Sequence, residues 1–171
     1  VDMQMTIFSN LGNVIIVVIC IPERKIMLKE VDAGARMGVD VVQIDDGWAQ
    51  GTTSNSVRAK EAGGVWEGFW ASDPNFWHHH TERFPNGLEG VIEKARKKDM
   101  QFGLWFGPDS VDDFKNWEKD AETILDFHTR LGVNYIKIDG VKARTKTSER
   151  NLRRFFDRVL EGSDGKVVFD L

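Results

Sequence analysis

A single cysteine, Cys20, serves the whole chain of 171 residues. That excludes an internal disulfide and any metal centre built on clustered thiolates, and it leaves the compartment open. Long hydrophobic runs are lacking too. The apolar stretch at residues 14–21 is too short to span a bilayer, and no charged segment with a small-residue cleavage site accompanies it, so it reads as a strand and no membrane partner is expected. Positive charge is in deficit, with 23 Lys and Arg against 27 Asp and Glu and a net charge of -4. The basic stretch at 142–154 is interrupted, and no groove-reading motif accompanies it, so nucleic acid is a poor partner. No glycine-rich phosphate loop follows a strand-like run. No low-complexity segment or linker divides the chain, which reads as one domain over 1–171, with 1–14 unplaced and a long loop at 47–85.

What is present is ordinary globular composition, 41% hydrophobic and 29% charged. Strand-like runs at 14–20, 41–45, 101–106, 135–139 and 166–171 alternate with helical patterns. The first helix opens near Pro22 and carries Met27, Leu28, Val31, Gly34 and Ala35 on one stripe, with Gly38 to stop it. Asn86 and Glu89 read as a cap pair for a second helix with the apolar face Leu88, Val91, Ile92 and Ala95. A third carries Phe114, Trp117, Ala121, Ile124, His128 and Leu131 and closes at Gly132. A fourth places Leu152, Phe155, Phe156, Val159 and Leu160 inward. Such alternation predicts an α/β fold of parallel βα repeats, the first four to five strands of a (β/α)8 TIM barrel. A five-stranded flavodoxin-like open sheet is the alternative at this length.

In parallel α/β folds ligands gather at the carboxyl ends of the strands, and the polar residues of this chain collect there. Asp45 and Asp46 end one strand, Trp105 and Asp109 follow another, Lys137 and Asp139 close a third, and Asp170 lies near the end of the last. In the stretch NYIKIDG, period-two alternation puts Tyr135, Lys137 and Asp139 on one face. The lysine can then keep Asp139 ionised, which suits a nucleophile, with a buried structural ion pair as the plain alternative. Asp45 and Asp46 point to opposite faces while the strand lasts, and the turn at Gly47 can bring both toward a ligand. Paired carboxylates of this kind accept hydrogen bonds from sugar hydroxyls.

In chain order VVQIDDGW, FPNGL before a helix, FGLWFGP and GVNYIKIDG resemble the barrel of glycoside hydrolase family 36, the α-galactosidase and raffinose-synthase group, from about residue 25 to 171. Families 27 and 31 share the layout more loosely. The resemblance implies a retaining exo-acting glycosidase, needing no cofactor or metal, that acts on terminal α-galactosides or oligosaccharides bearing them. It makes Asp139 the catalytic nucleophile and gives Lys137, Asp45 and Asp46 contacts to sugar hydroxyls. Trp105 and Trp48 would wall the pocket, and Asp170 would have a sugar-contact or structural role. The acid/base is expected on a strand after residue 171, and the large β-domain expected before the barrel is absent, so a fragment of a longer enzyme is the simplest account. A fragment without the acid/base could instead be a non-catalytic sugar-binding or structural piece. Half a barrel also exposes sheet edges, so self-association is expected.

The remaining conspicuous residues have plain readings. Three consecutive histidines, His78 to His80, cannot all converge on one ion from a regular element, so no metal site is assigned. His128 reads as a packed histidine with one hydrogen bond, and Met27 and Met37 as core filler. Asp109 could contact substrate or cap a nearby helix.

Overall fold

The computed structural model describes residues 5–11, 14–19, 23–56 and 59–171, and side chains for residues 23–56, 59–61 and 63–171. Six strands form one sheet in chain order: β1 Met5–Leu11, β2 Val14–Ile19, β3 Val41–Ile44, β4 Gln101–Phe106, β5 Tyr135–Ile138 and β6 Val168–Asp170. β1 pairs antiparallel with β2, and β2 through β6 are parallel. Strictly sequential order rules out the flavodoxin-like alternative, in which strand order reverses at a switch point. The sheet with its alternating helices is part of a (β/α)8 barrel. β1 was not expected from the sequence. Antiparallel pairing with β2 depends on a partner strand, which the local pattern of residues 1–14 does not announce.

The helices are α1 Arg24–Met37, α2 Ala59–Ala62, α3 Phe69–Ser72, α4 Glu89–Arg96, α5 Trp117–Asp126 and α6 Lys146–Gly162. α5 runs on into a π-helical turn, Phe127–Leu131, and Gly132 stops it. One face of the sheet meets the helices. Val42, Ile44, Phe102, Leu104, Phe106, Ile136 and Ile138 pack with Met27, Val31, Val91, Ile92, Ala121, Ile124, Phe155 and Val159 in one buried cluster. Each such side chain removed from water stabilises the fold by about 1.5–3 kcal/mol, before the cost of ordering the chain. The opposite face carries Val41, Gln43, Gly103, Trp105, Tyr135, Lys137, Val168 and Asp170; there Val41 and Tyr135 form a small separate cluster with Val168 against it, and Trp105 joins the main cluster.

Local expectations failed at several positions. Asn86 does not cap α4; the residue before the helix is Leu88, with no side-chain cap. The third helix begins at Trp117, not Phe114, because Asp112, Asp113 and Phe114 all adopt left-handed backbone (φ 47°, 59° and 59°). That conformation is costly for residues with a Cβ. It is held by Asn151 Nδ2 donating to the Asp113 carbonyl at 2.9 Å, by Thr145 Oγ1 donating to Asp113 Oδ1 at 2.7 Å, and by complete burial of the Phe114 ring. Met37 and Leu160 are 46% and 41% exposed, so neither fills the core. Met27 is fully buried, and half-buried His128 makes a 2.6 Å hydrogen bond between Nδ1 and Asn134 Oδ1. Cys20 lies outside the described residues.

Candidate active site

Alternation along β5 carries Lys137 on the inner face of the sheet, in register with Trp105 of β4 and Asp170 of β6. Asp45 is the first residue past β3, and its Oδ2 accepts from Lys137 Nζ at 2.9 Å. Burial alone would pull the Lys137 ammonium toward its neutral form. The hydrogen bond and charge of Asp45 outweigh it, with Asp139 and Asp170 adding to them, so the ammonium is held above its ordinary range. The ion pair at this rim is therefore Lys137 with Asp45, and Asp139 feels the lysine only through space.

Asp139 follows β5 directly and is exposed. Its backbone N–H donates to the Phe106 carbonyl at 3.1 Å, tying the residue to the end of β4. The Gly140 N–H donates to its Oδ1 at 2.7 Å, and Trp105 Nε1 donates to its Oδ2 at 3.4 Å. A carboxylate aimed by two donors and open to solvent is not a buried structural ion pair.

Asp46 is half-buried and donates its N–H to Asp45 Oδ1 at 2.8 Å, while Thr53 Oγ1 donates to its carboxylate. Burial pushes its carboxyl group above the ordinary range, the Thr53 bond opposes this, and the charge of Asp45 adds to it. Asp170 sits half-buried beside Lys137, acting on it and on Tyr135 by charge. Trp105 is 1% exposed on the inner face. Trp48 is equally buried but stands behind it, its Nε1 donating to the Trp105 carbonyl at 2.9 Å and its ring edge-on to Phe127. The turn after Asp46 sends Trp48 into the helix-side core, so it reaches the rim only through Trp105.

Asp109 neither faces the rim nor caps the next helix in the usual way. Fully buried, it accepts from the Gly68 N–H at 2.6 Å and from Asn116 Nδ2 at 3.1 Å. Its own N–H donates to Asp120. These bonds fasten part of the long connection between β3 and α4, and three more act nearby. Thr53 and Val65 form a parallel bridge, Glu67 pairs with Lys142 at 3.3 Å, and Ser110 Oγ donates to Glu67 at 3.2 Å. A Cβ on Gly64 would lie 2.3 Å from the Thr53 carbonyl oxygen, so only glycine lets the segment come this close. The fastened segment brings Trp66 to the rim, its ring centroid 6.0 Å from that of Trp105 at 35°. The sequence had offered Trp66 only as one of several tryptophans in a long loop; the nearest signal was the glycine pair before it. Within the same connection, the histidine run lies along the turn after β3, with an antiparallel bridge between Ala49 and His79.

Chemically the rim offers an exposed carboxylate, a cation shared with a second carboxylate, a third carboxylate beside them and an aromatic floor. Such a set can bind a polyhydroxylated ring and attack it. Among the described residues no group of three or more His, Cys, Asp or Glu could hold a metal. A cavity of about 560 Å³ lies elsewhere, on the helical flank between α4, α5 and the loop, lined by Trp70, Trp77, Glu122 and Phe127 among others.

Residues 23–134 match the family model described as Melibiase. The chain is 25% identical over 85 residues to an alpha-galactosidase of Escherichia coli and 29% identical over 77 residues to alpha-galactosidase AgaA of Geobacillus stearothermophilus. Those matches take in 50% and 45% of this chain but 10% and 8% of the relatives, so the matched stretches span about a tenth of the relatives' length. Among solved structures it is similar to GH36 alpha-galactosidase AgaA, with TM-score 0.57 and 17% identity over 86% of this chain and 25% of that one. A putative alpha-N-acetylgalactosaminidase of Bacillus halodurans shares the fold with TM-score 0.59 and 12% identity, over 87% of this chain and 45% of that one.

Proposed function

Because the chain belongs to the Melibiase family, we propose that it is the nucleophile-bearing part of a retaining exo-acting α-galactosidase, with Asp139 attacking the anomeric carbon of a terminal α-galactoside. The observation that carries this reading is the placement of Asp139: exposed at the end of β5, aimed by Gly140 and Trp105, and beside the Lys137–Asp45 pair. Attack forms a glycosyl ester on the Asp139 carboxylate and breaks the bond to the leaving oxygen. A second carboxyl group about 5–5.5 Å away protonates that oxygen, then takes a proton from the water that cleaves the ester. We assign Asp170 a sugar contact and not this role. Lys137, Asp45 and Asp46 would hold ring hydroxyls, the shared proton donors of Lys137 linking sugar and Asp45. AgaA variants have been crystallised with stachyose and with raffinose, which makes α-galactosyl oligosaccharides the substrate class to try here.

The test is the mass of the chain before and after incubation with a 2-deoxy-2-fluoro-α-galactosyl donor bearing an activated leaving group, which needs little acid assistance. An added glycosyl mass on the wild type and none on Asp139→Asn is expected. A folded wild type that gains no mass would overturn the catalytic assignment and leave a binding or scaffold piece.

A further inference from the structure

The segment at 64–68 is fastened at the rim far more firmly than a passing loop requires, and the side chain it presents there is Trp66. Val65 donates its N–H to the Thr52 carbonyl at 3.1 Å and accepts from the Ser54 N–H at 3.1 Å. Glu67 pairs with Lys142, from the segment following β5, and Gly68 is tied to buried Asp109 after β4. The segment thus spans from the β3 exit to the β5 exit, and Trp66 lies in the middle of it.

The height of Trp66 follows from the residues it meets. Trp105 is level with Lys137 in the sheet. Asp139 and Gly140 come two and three residues later, past the strand end. Gly140 has φ 71°, and a Cβ placed on it would lie 3.2 Å from Trp66 Nε1 and 3.3 Å from Cε2. Trp66 therefore reaches the chain just past Asp139, and its ring also meets that of Trp105, whose Nε1 donates to the Asp139 carboxylate. In a pocket that takes a terminal sugar, the sugar fills the floor and the leaving group points out through the mouth. Trp66 is half-buried, so part of the residue stays in contact with solvent.

Resting on the α-galactosidase reading, we infer that Trp66 is the wall of the leaving-group subsite and sets affinity for the sugar attached beyond the galactosyl unit. An indole suits that place because the C–H face of a pyranose packs on a flat aromatic ring, while its hydroxyls stay in water. Glu67, Lys142 and Asp109 are positioning residues in this scheme, acting through the loop that holds the ring.

Calorimetric titration of the full chain tests this, with Asp139→Asn as the parent so that nothing is turned over. Two ligands separate the subsites. 1-deoxygalactonojirimycin is the size of the galactosyl unit alone, and raffinose carries further sugars. Trp66→Ala is expected to weaken raffinose by about tenfold and leave the iminosugar unchanged, with Trp66→Phe restoring most of the loss. Retained iminosugar binding also shows that the variant is folded. Unchanged raffinose affinity in Trp66→Ala would overturn the inference, as would an equal loss for both ligands, which would move Trp66 to the galactosyl side. A parent that binds neither ligand would overturn the galactoside reading itself, and this inference with it.

Discussion

Asp120 is a carboxyl group whose charge costs the fold stability. It is buried, and its two oxygens accept from Trp70 Nε1 at 2.8 Å and from the Asp109 N–H at 2.9 Å. Its pKa is raised from 3.8 to about 7: burial pushes it up, those two bonds oppose this in part, and the charge of Asp109 adds to it. A folded-state value above the unfolded one means that the native chain holds a proton the unfolded chain has released. Stability from this group is therefore complete below pH 3.8 and is lost as pH rises toward about 7, by up to about 1.4 kcal/mol per pH unit. Carbon-13 titration of the Asp120 carboxyl should give a midpoint near 7. Trp70→Phe, which removes one donor to the charged form, should move the midpoint upward. A midpoint in the ordinary carboxylate range would show that water reaches the group. Nothing in the sequence marks Asp120, since its burial comes from the β4–α5 turn closing over it.

At the level of elements, α6 shows what a cap contributes. Thr145 accepts from the Ser148 N–H at 3.0 Å, and Ser148 Oγ accepts from the Thr145 N–H at 2.8 Å, a reciprocal capping box. Thr145→Ala should cost about 1 kcal/mol and lower Tm by roughly 2–4 °C in thermal unfolding. Thr145 also bonds Asp113 in the left-handed turn before α5, so that turn should loosen with the cap; a variant as stable as wild type would show that the cap carries no weight. Strands β3 to β5 were legible in the sequence because alternation and strand-ending carboxylates are local patterns. The same pattern located Lys137 and Asp139, and their relative placement needed only the parallel register. Three features were not legible, for three reasons. The partner of Lys137 is 92 residues away on another strand end. The start of α5 is displaced by a turn whose strain α6 relieves. Trp66 reaches the rim only because Gly64, Glu67 and Gly68 each find a tertiary partner.

For the whole molecule, the sheet has two ends. Among the described residues β1 pairs only with β2, and β6, three residues long, pairs only with β5. Gln43, fully buried on the inner face, has neither its amide nitrogen nor its oxygen hydrogen-bonded. Unpaired strand edges recruit further strands. The chain is expected to associate as its concentration rises, seen as a growing sedimentation coefficient; one monomer boundary across the range would overturn that expectation. The rim itself divides by origin. Asp45, Lys137 and Asp139 sit on or just past strands whose positions the sheet dictates, whereas Trp66 hangs on the connection between β3 and α4, which folds back on its own bonds. Doubling the length of a flexible loop costs only about 0.6 kcal/mol. Changes of length between residues 54 and 64 are therefore expected to leave Asp45, Lys137 and Asp139 in place. Over evolutionary time such a scaffold can keep one reaction while exchanging what it is performed upon, and an engineer could begin by rewriting that stretch alone.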